Sequence, residues 1–253
     1  MNGNNDFLNA LRFMTVVPVP SSDAAIAPDW LSRCAKYFPI VGIGVGLASA
    51  VVLLLAGRIW SPVVASLLAV ATSIAVTGAL HEDGLADTAD GLGGGSSVEK
   101  RLAIMKDSRI GTYGTLALVF CLSLRVTALA DMPAWTAAVA LISAHAAARV
   151  TPVFVMNALP YAGDAAAMKV SYIDAPVSAH DRRFALVVVL CALLPLAFVS
   201  IQSVIAGLLL GTALAAAATY WARQRINGYT GDVLGAIEQA FEIGFLLGVA
   251  AVI

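Results

Sequence analysis

Uncharged runs of about twenty residues recur along this chain, and they constrain its fold more than any other feature. Residues 37–57 and 59–81 form two such runs with Arg58 between them, and residues 184–222 form one that is long enough for two helices. A spanning helix needs about 20 apolar residues, because the hydrocarbon core is about 30 Å thick and a helix rises about 1.5 Å per residue. The sequence therefore predicts transmembrane helices.

Further spans are predicted at three runs that hold few charges, residues 111–130, 132–148 and 233–253. A short turn at residues 131–133 separates two of them, and a turn near residues 200–203 divides the longest uncharged run. The predicted fold class is all-α, a polytopic membrane helical bundle of about seven transmembrane helices. No linker or repeat divides the chain, so we expect one membrane domain over residues 1–253.

The composition agrees with a membrane protein and excludes several other classes. Of the 253 residues, 60% are apolar and 12% are charged, against about 25% charged in soluble domains. The net charge of −1 offers no basic surface for nucleic acid. Three widely separated cysteines suggest neither a disulfide nor a metal site and are interpreted as small buried hydrophobic residues. No cleaved signal peptide is predicted at the N-terminus.

Lys and Arg residues cluster on one predicted side of the membrane. If the N-terminus is cytoplasmic, thirteen of the fifteen Lys and Arg residues lie on that side, while Arg58 lies opposite and Arg125 lies within a span. Short cytoplasmic loops of membrane proteins carry an excess of basic residues. We therefore predict a cytoplasmic N-terminus, a C-terminus on the other side, and cytoplasmic segments at residues 1–36, 82–110 and 149–183.

Residues 81–95, HEDGLADTADGLGGG, concentrate carboxylates where the second span leaves the membrane. On a helix, Asp83, Asp87 and Asp90 project from one face, because their spacings are close to one turn. Neighbouring carboxylates repel one another unless a cation lies between them, and Mg²⁺ prefers such hard oxygen ligands. We therefore predict a Mg²⁺ site for a diphosphate; the alternative is a solvated helix end. The glycines that follow predict close approach to a ligand or a flexible turn.

Residues 99–114, EKRLAIMKDSRIGTYG, predict a cytoplasmic interfacial helix, because basic and apolar residues are interleaved there. Lys100 and Arg101 suit either lipid headgroups or the site. Lys106 and Arg109 flank Asp107 at the entrance to the third span. We expect these two basic residues to hold phosphate oxygens and Asp107 to add a fourth carboxylate near the metal.

The last span begins with GYTGDVLGAIEQAFE and contains three carboxylates. Asp232 is either the N-cap of the helix or a catalytic residue that faces the acidic cluster. Glu242 is expected near the middle of the bilayer, at a depth similar to Arg125, where acids are paired or functional. We predict that Arg125 pairs with Glu242, so that neutralising either residue destabilises the bundle and exchanging both restores it.

Three other polar residues adjoin the cytoplasmic face. His145 and Arg149 are one helical turn apart at the end of the fourth span, where Arg149 either contacts substrate phosphate or marks the membrane interface. His81 precedes the acidic face and either exchanges a proton with substrate or caps a helix.

Taken together, the motifs resemble those of cobalamin synthase, the adenosylcobinamide-GDP ribazoletransferase family of bacterial and archaeal membranes. The similar segments are HEDGLADTADG at 81–91, IMKDSRIGTYG at 104–114 and TGDVLGA at 230–236, supported by FMTVVPVP at 13–20 and FPIVG at 38–42. They cover the chain from end to end in the family's order. Glu82 replaces a usually apolar residue of the family, so no metal role is carried onto it.

The resemblance implies a late step of cobalamin biosynthesis at the bacterial inner membrane. The ribose 3′-hydroxyl of α-ribazole, or of its 5′-phosphate, attacks adenosylcobinamide-GDP; cobalamin or its phosphate forms, and GMP leaves. Mg²⁺ is the implied cofactor and membrane lipid an implied partner, whereas the oligomeric state is left open. We assign the metal to Asp83, Asp87, Asp90 and Asp107, substrate phosphate to Lys106, Arg109 and Arg149, and the general base to Asp232 first and His81 second.

Two alternatives stay open at this stage. Another membrane transferase with an acidic Mg²⁺ site, such as a CDP-alcohol phosphotransferase or a UbiA-type prenyltransferase, has different aspartate spacings. A transporter or a corrinoid-binding module without catalysis would place its polar groups near the midplane, whereas most carboxylates here collect at one surface.

Overall fold

The structure is a computed structural model that describes residues 3–19, 29–163 and 176–253. Parts of the first and third predicted cytoplasmic segments, including Pro20 of the FMTVVPVP motif, lie outside the described residues. Within these ranges the chain forms helices, and the all-α fold class is confirmed. They are α1 Gly3–Met14, α2 Trp30–Cys34, α3 Phe38–Ala56, α4 Pro62–Thr77, α5 Leu80–Gly94, α6 Val98–Met105, α7 Thr112–Asp131, α8 Ala134–Ala148, α9 Thr151–Ala158, α10 Ala179–Val199, α11 Ile201–Ile226 and α12 Gly231–Ala250.

Six helical stretches of the described chain are long and apolar enough to cross a membrane: Trp30–Ala56, Thr112–Asp131, Ala134–Ala158, Ala179–Val199, Ile201–Ile226 and Gly231–Ala250. A seventh span results if the bent pair α4 and α5 is taken as one. The predicted count of about seven is therefore confirmed by length and composition. The turn predicted near residues 200–203 is also present, because α10 ends at Val199 and the Ser200 side chain caps α11 by accepting a hydrogen bond from Ser203 N at 3.1 Å.

The second span is broken where α4 meets α5 at an angle of 90°. Gly78 and Ala79 both adopt left-handed backbone conformations, with φ of 63° and 59°. A Cβ at residue 78 would lie 2.5 Å from Cγ1 of Val16, so glycine is required here for space as well as for conformation. The bend turns α5 alongside α7 and α12.

Helix α12 forms the centre of the bundle and packs against α5, α7, α8, α9 and α11. Small residues permit the closest of these contacts. Gly207 and Gly211 on α11 face the turn of α12 that carries Gly244 and Gly248, and a Cβ at Gly244 would lie 2.7 Å from Leu210 O. Membrane helices depend on such close backbone approach because lipid offers no hydrophobic drive for their association.

The glycine-rich run at residues 41–50 serves the same purpose between α3 and α8. A Cβ at Gly46 would lie 2.7 Å from Cα of Ile142, and one at Gly42 would overlap the backbone oxygen of His145. The small residues of this run therefore let α3 and α8 pack closely.

The lipid-facing side of the bundle includes much of α10. Leu190, Leu194 and Phe198 are exposed there, and Cys191 is exposed beside them. Cys34 and Cys121 are buried as predicted, but the prediction is wrong for Cys191, because its stretch of α10 faces outward rather than into the core.

A network of buried charged side chains crosses the interior of the bundle. Arg125 on α7 forms the predicted ion pair with Glu242 on α12, and both side chains are 1% exposed. Nη1 of Arg125 also donates to Oε1 of Glu82 at 3.2 Å and to Oε1 of Gln239 at 3.1 Å, and Nη2 donates to Oγ of Ser73 at 3.2 Å. The network ties α4, α5, α7 and α12 together at one level.

Candidate active site

The acidic residues of 81–95 lie on one helix, α5, as predicted. Asp83 is exposed, Asp87 is half-buried and Asp90 is buried. The three carboxylates project from the same side of α5 but meet different surroundings. Their roles in the structure therefore have to be considered one at a time.

A cavity of about 140 Å³ lies between the beginning of α5 and the beginning of α12. His81 and Asp83 line it from α5, and Asp232 and Glu238 line it from α12. Apolar side chains complete the wall, among them Phe13, Met14, Leu31, Phe38, Leu80, Pro152 and Met156. The cavity thus joins three predicted site residues, Asp83, Asp232 and His81, from opposite halves of the chain.

The close contact between α5 and α12 depends on Gly84. A Cβ at this position would lie 2.7 Å from the backbone oxygen of Asp232. Because no side chain separates the helices here, Asp83 and Asp232 reach the same cavity.

The Asp90 side chain caps the beginning of α7. Its Oδ2 accepts a hydrogen bond from Gly111 N at 2.7 Å, and its Oδ1 accepts one from Gly114 N at 2.9 Å. The first N–H groups of a helix have no partner within the helix, so a buried carboxylate satisfies them well. A Cβ at Gly114 would overlap this carboxylate. Asp90 is therefore directed at α7 rather than at the other aspartates.

The predicted set of four metal ligands is not assembled in the described structure. No group of three or more His, Cys, Asp or Glu side chains in the described ranges is placed to hold one metal ion. Nevertheless, Asp83, Asp232 and Asp90 all act electrostatically on Asp87. Mg²⁺ is commonly bound through one or two carboxylates together with substrate phosphates. Asp83 and Asp87, which are one helical turn apart on α5, fit a magnesium ion of that kind.

Asp107, the fourth predicted ligand, is paired with Arg109 near the surface. Nη2 of Arg109 lies 2.6 Å from Oδ2 of Asp107, and the backbone N–H of Arg109 also donates to this carboxylate. These hydrogen bonds lower the pKa of Asp107 to about 2. Arg109 and Lys106 are exposed, and Gly111, which donates to Asp90, places this segment beside the C-terminal part of α5.

The glycines that follow the acidic residues pack against neighbouring helices and do not form an open site for a ligand. A Cβ at Gly91 would lie 2.5 Å from Cγ of Met105, one at Gly93 would lie 3.0 Å from the Tyr113 ring, and Gly95 lies against Arg101. The interfacial helix predicted over residues 99–114 is shorter in the structure, where α6 covers Val98–Met105 and α7 begins at Thr112. The glycine run therefore lets α6 pack closely against α5.

Asp232 is not the N-cap of the last span. Thr230 has that role, since its hydroxyl oxygen accepts from Val233 N at 3.3 Å, and Asp232 lies in the first turn. Thr230 and Asp232 are both good capping residues. Because α12 begins at Gly231, Thr230 rather than Asp232 occupies the N-cap position. The carboxylate of Asp232 is thereby left to face the cavity.

Comparison with known proteins decides the family. Residues 6–250 match the cobalamin-5-phosphate synthase family. The chain belongs to this family. A protein of Leptothrix cholodnii named adenosylcobinamide-GDP ribazoletransferase is 43% identical over 247 residues, covering 96% of this chain and 93% of its own. One of the same name from Azorhizobium caulinodans is 44% identical over 250 residues, covering 95% of this chain and 93% of its own. No solved structure matches the chain.

Membership of the cobalamin-5-phosphate synthase family confirms the resemblance found in the motifs. The chain is thus a multi-pass membrane transferase of cobalamin biosynthesis, and the match favours this interpretation over a CDP-alcohol phosphotransferase, a UbiA-type prenyltransferase or a transporter.

Arg149 was predicted either to contact substrate phosphate or to mark the membrane interface, but the structure places it inside the bundle. It is 1% exposed and is absent from the cavity wall. Its Nη1 lies 3.0 Å from the backbone oxygen of His145, and its Nε lies 3.5 Å from Oε1 of Glu238. A buried guanidinium needs such partners because an unpaired charge is costly inside the bundle. Arg149 therefore belongs to the buried network in this structure.

Glu238 is the site residue that sequence analysis missed. Its Oε1 lies 3.1 Å from Nε2 of His81, and it lines the cavity with that histidine. The signal was available, because an acid inside a span requires a partner at its own depth. His81, two turns from Asp87 on α5, and Arg149, at the end of α8, were the polar candidates on that side.

Proposed function

We propose that this protein catalyses a Mg²⁺-dependent transfer in which α-ribazole, or its 5′-phosphate, reacts with adenosylcobinamide-GDP. The curated relatives carry the name of this activity. The observation that supports the chemistry best is the cavity where Asp83 of α5 meets Asp232 and His81. It gathers carboxylates and a histidine where a diphosphate and an attacking hydroxyl can meet.

The bond changes define what the site has to supply. The ribose 3′-hydroxyl oxygen forms a bond to the phosphorus attached to cobinamide, the bond from this phosphorus to the GMP oxygen breaks, and the hydroxyl proton passes to a base. Negative charge grows on the departing GMP. Asp83 and Asp87 would hold the Mg²⁺ that neutralises this charge when bound.

The base is assigned to Asp232 first and His81 second. Both line the cavity, and Asp232 stands in the first turn of α12, where neighbouring N–H groups favour negative charge. His81 is buried, and Glu238 lies against its Nε2. This contact makes Glu238 a positioning residue that restricts the orientation of the His81 ring.

Lys106 and Arg109 are assigned to the non-bridging phosphate oxygens. Both are exposed beside the end of α5, and Arg109 keeps its charge while paired to Asp107. Arg109 presents a fork of N–H donors that suits phosphate. Binding the diphosphate requires Arg109 to exchange part of its contact with Asp107 for substrate oxygens.

We place this site on the cytoplasmic face of the bacterial inner membrane. The support is the excess of Lys and Arg on the side of the acidic segment. On this basis the N-terminus is cytoplasmic and the C-terminus is on the opposite side.

The test is GMP release by purified protein supplied with adenosylcobinamide-GDP and either α-ribazole or its 5′-phosphate. Wild-type protein should release GMP only when an acceptor is present. If Asp232 is the base, D232N should lower the rate by about 100-fold or more, whereas D131N, at the far end of α7, should match wild type. If D232N releases GMP at the wild-type rate, the role of general base passes to His81. If wild-type protein releases no GMP, the proposed activity is refuted.

A further inference from the structure

A second and larger cavity lies apart from the candidate active site. It measures about 780 Å³ and is open on one side, between α10 and α11, with α8, α9 and α12 behind it. Its wall is almost entirely apolar; Phe154, Leu190, Leu193 and Phe241 are typical lining residues. An apolar cleft on a membrane protein faces acyl chains rather than water.

The cleft has the length of one membrane leaflet. Along α11 its lining extends from Leu208 to Arg223, which corresponds to about 22 Å at 1.5 Å per residue. Half of a bilayer, including headgroups, measures about 20–22 Å. The Arg223 end is the one nearest the loop to Thr230, so it lies on the same side of the membrane as the candidate active site.

The end of the cleft carries a positive charge. Of the residues that line it in the described part of the chain, Arg223 alone is charged, and Tyr220 lies one turn before it on α11. Arg223 is exposed, and the described residues give it no ion pair. A guanidinium at headgroup depth above an apolar cleft matches the two parts of a phospholipid, a phosphate and an acyl chain.

We propose that this cleft is a binding site for one phospholipid of the leaflet on the active-site side. Its acyl chain lies between α10 and α11, and its phosphate contacts the Arg223 guanidinium. An anionic phospholipid such as phosphatidylglycerol is favoured by the charge. This site is separate from the cavity at Asp83 and Asp232, so the proposal stands whether or not the proposed reaction is correct.

Two variants test the two halves of the site. Arg223→Gln removes the phosphate partner, and Arg225→Gln is its matched control, because Arg225 is also exposed near the end of α11 but does not line the cleft. Ala216→Trp fills the cleft from α11, and Ala213→Trp places the same side chain on an exposed position outside the cleft.

The measurement is native mass spectrometry of the full-length protein in detergent, titrated with phosphatidylglycerol or with diacylglycerol, which lacks the phosphate. Wild-type protein should retain one phosphatidylglycerol. R223Q should weaken that binding about fivefold, which corresponds to roughly 1 kcal/mol for a basic residue at the membrane surface. R223Q should leave diacylglycerol binding unchanged. A216W should prevent both, whereas R225Q and A213W should behave as wild type.

Other outcomes would overturn the proposal. Equal phosphatidylglycerol affinity in R223Q and R225Q would show that Arg223 does not bind the headgroup. Loss of a dimer in A216W with unchanged lipid binding would show that a second copy of the chain occupies the cleft. Because Arg223 is exposed, R223Q should fold normally, and it tests the proposal even if A216W does not fold.

Discussion

Replacing Arg125 by Met should destabilise the bundle more than any other single neutralisation in the buried network. Arg125 is 1% exposed and serves both Glu242 and Glu82. Without it, two carboxylates remain in the interior with no guanidinium between them. Neutralising Glu242 instead, as Gln, leaves Arg125 with Glu82 and Gln239, and the new amide oxygen still accepts from Arg125.

The contacts allow a magnitude for each change. Removing one member of a buried ion pair costs about 3–5 kcal/mol. The cost of Arg125→Met should lie near the upper end of this range, because both Glu242 and Glu82 lose their contact with the guanidinium. Glu242→Gln keeps a neutral hydrogen bond and should cost about 1–2 kcal/mol. For a chain of this size, 1 kcal/mol corresponds to about 2–4 °C in unfolding temperature. R125M should therefore unfold about 10 °C below wild type, and E242Q only a few degrees below it.

The assay is thermal unfolding of the purified protein in one detergent, followed by size-exclusion chromatography of the surviving fraction. Arg58→Met, on an exposed residue between α3 and α4, is the control and should match wild type. Exchanging the pair as R125E/E242R should restore stability only in part, because Glu82 then faces a second carboxylate. Full restoration would be expected only if Arg125 and Glu242 interacted with each other and not with Glu82. If R125M unfolds within 1 °C of wild type, or E242Q proves the less stable variant, the reasoning is wrong.

A helix cap, a helix contact and a surface ion pair can each be tested by one substitution. Asp90→Ala should lower the unfolding temperature by several degrees, because two N–H groups of α7 lose their acceptor; an unchanged temperature would contradict the capping role. Gly248→Ala should lower it as well, since the new Cβ would overlap the Ala206 oxygen, and unchanged melting would show that α11 and α12 can separate without cost. The pKa of Asp107, lowered to about 2, keeps this carboxylate ionised and bound to Arg109 at every pH above about 3, so D107N should not move the pH profile of GMP release between pH 5 and 8. A shifted profile would show that Asp107 titrates in that range.

Much of this architecture follows from patterns within single helices. The spans are set by the lengths of uncharged runs, and the acidic helix α5 by the spacing of its aspartates. The Arg125–Glu242 pair could be predicted because two opposite charges at one depth in lipid have few other partners. Each of these inferences needs only the helix period and the cost of burying charge.

The contacts that the sequence patterns did not indicate depend on how helices meet. Asp90 was grouped with Asp83 by its position on α5, but the beginning of α7 lies against it and takes both of its oxygens. Arg149, at the end of a span, was expected near the interface or the substrate, whereas Glu238 and His145 hold it inside. The period of a single helix does not reveal which neighbour each turn will contact.

The proposed reaction depends on the α5 carboxylates holding Mg²⁺ against the substrate diphosphate. The most direct measurement is the Mg²⁺ concentration that gives half-maximal GMP release, compared between wild type, D87N and the control D131N. Losing even an indirect metal contact typically costs 10–100-fold in affinity, so D87N should require at least about tenfold more Mg²⁺ or release no GMP, while its unfolding temperature stays near that of wild type. An unchanged Mg²⁺ requirement and a wild-type rate in D87N would contradict this role of the carboxylates.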